Sequence, residues 1–191
     1  MKQGKRMSTE TMVLGAVLTA LVIVLQLAGA FIRFGPFSIS LVLIPIVIGA
    51  ATCGVWVSSW LGFVFGIAVL LSGDAAAFLA INVPGTIITV LAKGIGCGLA
   101  AGFVFSLLKN RNIYVATIAA AIVCPVANTG IFLIGCAVFF LDTLALWSGG
   151  GSILYYMIFG LVGGNFLFEL GSNIILSPVV VRLLNIKNKK Q

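Results

Sequence analysis

The stretch ILYYMIFGLVGGNFLFELGSNIILSPVVV, residues 153–181, is long enough to cross a membrane and yet carries three strongly polar side chains. A helix needs about 20 apolar residues to span a bilayer core, and this stretch exceeds that length. Asn165, Glu169 and Asn173 follow the spacing i, i+4, i+8, which places an amide, a carboxylate and a second amide on one helical face. Because an ionisable group at membrane depth costs roughly 3 kcal/mol, this stripe predicts polar partners, water or a polar ligand.

The whole chain has the composition of an integral membrane protein. Of its 191 residues, 61% are hydrophobic and 8% are charged, and the mean hydropathy is +1.25. Long apolar runs indicate helices rather than the short alternating strands of a barrel. We predict an all-α integral membrane protein with a single membrane domain over residues 1–191, a compact six-transmembrane-helix bundle whose first span is retained. The predicted spans cover about 11–30, 38–53, 55–72, 85–107, 114–141 and 153–181.

The distribution of basic residues predicts the topology. A net charge of +7 would suggest a nucleic-acid partner in a soluble protein, but the cationic residues cluster near both ends and at Lys109 and Arg111 after the fourth span. By the positive-inside rule both termini and that loop are cytoplasmic, in a multi-pass protein of the bacterial plasma membrane. The loops at about 72–84 and 142–152 then lie outside, and no nucleic acid is expected as a partner.

Several functions lack the residues they need. The chain has no histidine, and its four cysteines show no metal-ligand spacing, so no metal or other cofactor is expected. No nucleotide-binding loop is present, so ATP hydrolysis would have to come from partner subunits. No pair of carboxylates suits acid–base catalysis, which argues against an enzyme. Two alternatives stay open at this point: a small membrane enzyme acting on a lipid, with Glu169 or Asp142 as base, and an assembly subunit without a ligand.

Polar side chains also occur on the fourth and fifth spans. Asn82, Thr86, Thr89 and Lys93 share one face of the fourth span, with Lys93 on the order of 10 Å below its outer end. Asn128 lies near the middle of the fifth span. Lys93 and Glu169 could form a structural ion pair, but the polar groups outnumber what one pair needs. Together with the stripe of the last span they predict a substrate-binding pocket.

Arg33, at the outer end of the first span, could add an anion clamp to this pocket or could anchor lipid headgroups. Pro45 is expected to kink the second span. Small residues predict close helix packing at Gly94, Gly98 and Gly102 on the fourth span and at Gly160 and Gly164 on the sixth. Ala16 and Ala20 form a similar step on the first span, where it could serve as an external docking surface.

Several of these segments match a known family in order along the chain. They are Ala16-xxx-Ala20, FIRFGPFSISLVLIPIVIGA (31–50), SGDAAAFLAINVPGT (72–86), CPVANTGIF (124–132) and GNFLFELGSNIILSP (164–178). With these segments the chain resembles the substrate-specific S components of energy-coupling factor (ECF) vitamin transporters. The resemblance implies a membrane protein that captures a small vitamin outside the cell and docks, through Ala16 and Ala20, on a transmembrane coupling (T) subunit that carries two cytoplasmic ATPases.

The expected solute follows from the charges and from the resemblance together. Arg33 and Lys93, with the surrounding amides and hydroxyls, favour a small polar molecule that carries a carboxylate. The segments look most similar to the pantothenate branch of the family. Folate is the weaker alternative, since a pterin ring needs aromatic neighbours and only Trp147, Tyr155 and Tyr156 are obvious outer candidates.

Overall fold

Helices make up nearly all of the regular structure. The computed structural model describes residues 8–30, 33–34, 37–38 and 41–188, with the backbone alone at 33–34, 37–38 and 186–188. The helices are α1 (Thr9–Gly29), α2 (Leu43–Thr52), α3 (Val55–Ser72), α4 (Ala76–Leu79), α5 (Val83–Leu108), α6 (Ile113–Phe139), α7 (Leu141–Trp147), α8 (Ile153–Tyr155) and α9 (Gly163–Asn188). A π-helix, Tyr156–Val162, joins α8 to α9, and two short strands, β1 (Arg33–Phe34) and β2 (Phe37–Ser38), pair antiparallel.

Five of these helical segments are long and apolar enough to cross a membrane. They are α1, α3, α5, α6 and the continuous rod Ile153–Asn185, which includes the π-helix. The sixth predicted span, α2, has 10 residues and is therefore about 15 Å long, half the thickness of a bilayer core. The multi-span helical architecture is confirmed, whereas the count of six crossings and the cytoplasmic position of the termini stay predictions.

The second span differs most from the prediction. It was expected to begin near residue 38, but Phe37–Ser38 forms strand β2 and the helix begins at Leu43. The physical reason is Pro45, which lacks the N–H that a helix interior needs and therefore fits best in a first turn. Pro45 is the third residue of α2, so it marks the start of the helix rather than a kink within it.

Glycines let α5 pack at backbone distance against α3, as the spacing of Gly94, Gly98 and Gly102 predicts. A Cβ at Gly98 would overlap the carbonyl oxygen of Ser58, and one at Gly94 would overlap that of Gly62. The Ser58 hydroxyl donates to the Gly98 carbonyl oxygen over 2.8 Å. Such close approach increases dispersion contact between helices, the main attraction available in lipid. Helix α5 is thereby fixed between α3 and α6, and α6 in turn packs on α9.

The glycine step on the last span behaves differently from its prediction. A Cβ at Gly164 would meet no atom within 4 Å, and one at Gly160 would meet only the Tyr156 ring of its own segment. Within the residues described, this step therefore packs on no other helix. The π-helix explains the difference, because its wider turn breaks the i, i+4 alignment on which a GxxxG surface depends.

Candidate substrate-binding site

The predicted polar faces of α5, α6 and α9 meet around two adjoining cavities. The first, of about 60 Å³, is lined by apolar side chains and by the polar residues Gln26, Asp74, Thr86, Thr89, Lys93, Asn165 and Glu169. The second, of about 40 Å³, is lined partly by Asn128 and Thr129 and shares Lys93, Phe132 and Asn165 with the first. We call the two together the polar chamber.

Glu169 is held by amides rather than by a cation. Its side chain is 1% exposed, and its two carboxylate oxygens accept from Asn165 Nδ2 over 3.1 Å and from Asn128 Nδ2 over 3.4 Å. Asn173 Nδ2 donates to the Glu169 backbone carbonyl over 2.8 Å. A buried carboxylate needs such donors, so the polar stripe of the last span forms one network with α6.

Lys93 is held by aromatic rings. Its Nζ atom lies 5.3 Å from the ring centroids of both Phe65 and Phe132, within the range of a cation–π interaction. Across residues 41–188 and the other described ranges, Lys93 has no hydrogen bond and no ion pair, so it forms no direct pair with Glu169. Ring faces stabilise the charge without using its N–H donors. Those donors therefore stay available to a molecule in the chamber.

Three acceptor atoms around Lys93 likewise have no partner in the described part of the chain. They are Thr89 Oγ1, Asn128 Oδ1 and Asn165 Oδ1. In both asparagines the Nδ2 group is directed to Glu169, which turns the amide oxygen away from the carboxylate. Buried acceptors without donors are uncommon and destabilising. Their grouping with an ammonium suits a ligand that carries both hydrogen-bond donors and an anionic group.

The remaining predicted site residues lie at the margin of the chamber. Thr86 lines it, but its hydroxyl donates to the Asn82 carbonyl oxygen over 2.7 Å. Asn82 is the N-cap of α5 and accepts from the Gly85 N–H over 2.9 Å. Neither Asn82 nor Asn173 lines either cavity, so their binding roles stay predictions. The Arg33 side chain lies outside the described residues.

The sequence reading missed several lining residues. Gln26 on α1 is 2% exposed and donates from Nε2 to Ser72 Oγ and to Asp74 Oδ2. Its signal was a lone amide in an otherwise apolar span. Four phenylalanines also line the first cavity, Phe65, Phe78, Phe132 and Phe140. Phenylalanine is common throughout membrane spans, so these had no distinguishing signal. The aromatic candidates that the sequence suggested, Trp147, Tyr155 and Tyr156, line neither cavity.

Two short helices cover one end of the chamber. Phe78 of α4 makes edge-to-face contacts with Phe132, Phe140 and Trp147, at centroid distances of 5.6, 5.0 and 5.6 Å. Trp147 is the last residue of α7. The two loops predicted to lie outside, at about 72–84 and 142–152, therefore meet each other through Phe78 and Trp147.

The two predicted docking alanines lie on a different surface. Helix α1 buries Leu18, Val22 and Gln26 against the bundle, whereas Ala16 and Ala20 are exposed. Of the five long spans, α1 has the smallest share of buried residues, 17%. The small-residue step is thus accessible to another helix.

A comparison with protein families identifies the chain. The family described as "ECF transporter, substrate-specific component" matches residues 10–184. The chain belongs to this family. No curated protein and no solved structure matches it. As an ECF substrate-specific component it is a transport subunit and not an enzyme, which removes the lipid-modifying alternative. Family membership and the long apolar helices together show that the chain is a multi-pass protein of the cell membrane. Family membership also implies association with T and ATPase subunits.

Proposed function

We propose that this ECF component is the high-affinity binding subunit of an ATP-driven importer for a small water-soluble vitamin, and that the vitamin is pantothenate. Its solute would bind in the polar chamber, with ATP hydrolysis supplied by two cytoplasmic ATPases through the T subunit. Family membership supports the transport role. The observation that carries the choice of solute is the Lys93 ammonium, which has no hydrogen bond to the described residues, beside three acceptors that also lack a partner among them.

The chemistry of the chamber is complementary to pantothenate. That molecule has one carboxylate for Lys93, and two hydroxyls and one amide N–H that can donate to Thr89, Asn128 and Asn165. The carboxylates of Glu169 and Asp74 in the chamber repel an anionic solute. This repulsion is weakened because both carboxylates accept hydrogen bonds from neighbouring side-chain amides. A charge-assisted hydrogen bond to Lys93 would contribute about 1.5–3 kcal/mol.

Binding would require the chamber to widen. A volume of about 60 Å³ admits on the order of four water molecules. A vitamin is larger, so the covering residues Phe78 and Trp147 are expected to move apart when it enters. Short helices such as α4 and α7 can move as units at a small cost in buried contacts.

Folate is a second candidate because the chamber is more aromatic than the sequence suggested. Phe65, Phe78, Phe132 and Phe140 line it and could stack on a pterin ring. A pterin would also have to enter a narrow space beside Lys93. Pantothenate is preferred because it can hydrogen-bond to the three acceptors and to the Lys93 ammonium and has no planar ring that would need a flat cavity.

Native mass spectrometry of the purified chain tests the identity of the solute. The protein would be expressed in a host that makes the vitamin, released from mild detergent in the spectrometer, and extracted in parallel for metabolite analysis. We expect one adduct with the mass of pantothenate. An adduct with the mass of folate would support the second candidate, and a folded protein that binds neither vitamin at micromolar concentration would refute both.

A substitution at Lys93 tests its role directly. Lys93→Met keeps a long, flexible side chain against the two phenyl rings but removes the charge. We expect pantothenate affinity to fall about 10- to 100-fold, since a charge-assisted hydrogen bond is lost. Isothermal titration calorimetry of protein in nanodiscs measures the affinity.

The matched control is Lys109→Met, which makes the same change at the exposed end of the same helix. It should leave the affinity unchanged. Equal affinities of both variants and the wild type would contradict the assignment of Lys93.

A further inference from the structure

A long apolar groove runs along the outside of the bundle between α6 and the π-helix with the start of α9. Its volume is about 520 Å³, and none of the described residues that line it is charged. Val126 and Leu133 form the α6 wall, and Phe159 and Leu167 form the opposite wall. Both walls belong to segments that are long and apolar enough to cross a membrane. In a multi-pass protein the groove is therefore expected to face the hydrocarbon core.

Glycines give the groove its depth. Gly130 on α6 and Gly164 on α9 both line it, and a Cβ at either position would meet no atom within 4 Å. At most glycines of the α3–α5 contact, by contrast, a Cβ would overlap the facing backbone. The groove glycines thus leave space that no helix of the described chain fills.

The rim of the groove is strongly exposed and apolar. The exposed fractions are 48% for Val126, 65% for Phe159 and 67% for Leu167. Side chains of this kind at membrane depth contact lipid. The groove is consequently continuous with the lipid-facing surface of the protein.

The inner end of the groove meets the polar chamber. Thr129 and Val162 line both the groove and the second cavity, whose other walls include Lys93 and Asn128. The groove and the second cavity thus share part of one wall, so whatever fills the groove lies directly beside the polar chamber. Water would find few polar partners in the groove, and a void would lose dispersion contacts along all of its walls. A flexible hydrocarbon chain satisfies both conditions.

We propose that one acyl chain of a membrane lipid binds in this groove and covers the wall that the groove shares with the polar chamber. It is a defined occupant, distinct from the lipids that exchange freely around the bundle. The chain enters over Phe159 and Leu167, lies across Gly130 and Gly164, and ends near Thr129. The site does not depend on which solute the chamber takes.

Photo-crosslinking in nanodiscs tests this site. The probe is phosphatidylcholine with a diazirine on one acyl chain, mixed at low proportion into unlabelled phosphatidylcholine, and labelled residues are located by peptide mass spectrometry. We expect Phe159 and Leu167 to be labelled several-fold more than Phe103 and Ile175, which are exposed apolar residues of α5 and α9 outside the groove. Equal labelling of the two pairs would overturn the proposal.

A second experiment fills the groove with larger side chains and repeats the photo-crosslinking. Gly164→Leu and, separately, Gly130→Leu place a side chain in the groove at positions where a Cβ meets no atom within 4 Å, and each should lower the groove labelling to the level of Phe103. Gly171→Leu is the matched control, because its Cβ also meets nothing within 4 Å but lies outside the groove. Its labelling pattern should equal that of the wild type. If the filled variants fold, as judged by thermal melting, and keep the full groove labelling, the acyl chain does not bind there.

Discussion

At the residue scale, the site depends on which partner each polar side chain already has. Glu169 is a buried carboxylate, yet its donors are two asparagines rather than Lys93. Lys93 lies between Phe65 and Phe132 and keeps its donors. The amides therefore provide hydrogen bonds to the carboxylate without using the ammonium of Lys93. A chamber built in this way retains an ammonium and free acceptors for a solute.

Two threonines one helical turn apart allow a matched test of this idea. Thr89 and Thr86 are both buried on α5 and both line the chamber, but among the described residues the Thr86 hydroxyl has a hydrogen-bond partner and the Thr89 hydroxyl has none. Thr89→Val should weaken solute binding roughly 2- to 10-fold through loss of one hydrogen bond. It should leave thermal stability unchanged or slightly higher, since an unpartnered hydroxyl becomes a methyl group of similar shape.

Thr86→Val is the control for that experiment. Its hydroxyl bonds to the Asn82 carbonyl oxygen, which the Thr86 backbone N–H also satisfies. Both affinity and stability should therefore change little. Calorimetry and differential scanning fluorimetry measure the two quantities, and an equal loss of affinity in both variants would argue against a specific contact with Thr89.

At the element scale, backbone contact between α3 and α5 positions the wall that carries Thr89 and Lys93. Gly98 meets the Ser58 carbonyl oxygen so closely that even a methyl group would force the two helices apart. Gly98→Ala should destabilise the protein by about 1–3 kcal/mol, as overpacking does elsewhere. The measurement is a melting curve or a denaturant titration in the same detergent for each variant.

Gly171→Ala gives the opposite expectation for the same change. Its Cβ would meet no atom within 4 Å, so the higher helix propensity of alanine should leave stability unchanged or raise it by up to about 1 kcal/mol. Similar losses in both variants would contradict the assignment of the Gly98 effect to the α3–α5 contact, because the effect of Gly→Ala on the unfolded chain is stabilising.

The π-helix is the other element that local sequence did not reveal. It occupies Tyr156–Val162, within the apolar run that opens the last span. Its wider turn breaks the glycine step at Gly160 and Gly164 and leaves Gly164 facing the groove. Insertions of this kind are often found at functional sites, and this one lies between the covering loop and the network around Glu169.

At the scale of the whole molecule, the bundle has a buried binding region and an exposed partner region. The polar chamber lies among α1, α3, α5, α6 and α9, whereas Ala16 and Ala20 face away from the bundle on α1. Because the family associates with T and ATPase subunits, capture of solute and docking should be separable by mutation.

Bulky substitutions at the docking alanines test that separation. Ala16→Trp and Ala20→Trp should block uptake in proteoliposomes that contain the T and ATPase subunits, because a large side chain prevents close helix approach. Solute binding by the isolated chain should be preserved. Ala92→Trp is the control, since Ala92 is an exposed alanine on a different span, and it should transport normally. Normal uptake in the two α1 variants would refute the docking assignment.

The amino-acid sequence by itself determined the membrane class, the five long helical segments of the described chain and the identity of most polar residues that line the chamber. It could do so because hydropathy and helical periodicity are local properties, and because a charged or amide side chain in an apolar span is conspicuous. It also predicted the α5 glycine contact, which the fixed spacing of the glycines encodes.

Only the tertiary structure decided how those residues pair. Three features depend on distances between helices that are far apart in sequence. They are the separate partners of Lys93 and Glu169, the presence of Gln26 and four phenylalanines in the chamber lining, and the groove beside Thr129. The spacing of residues in the sequence shows which of them share a face of one helix, but it does not show which face of a neighbouring helix they contact. Packing fixes that choice, and with it which polar groups remain available to a solute.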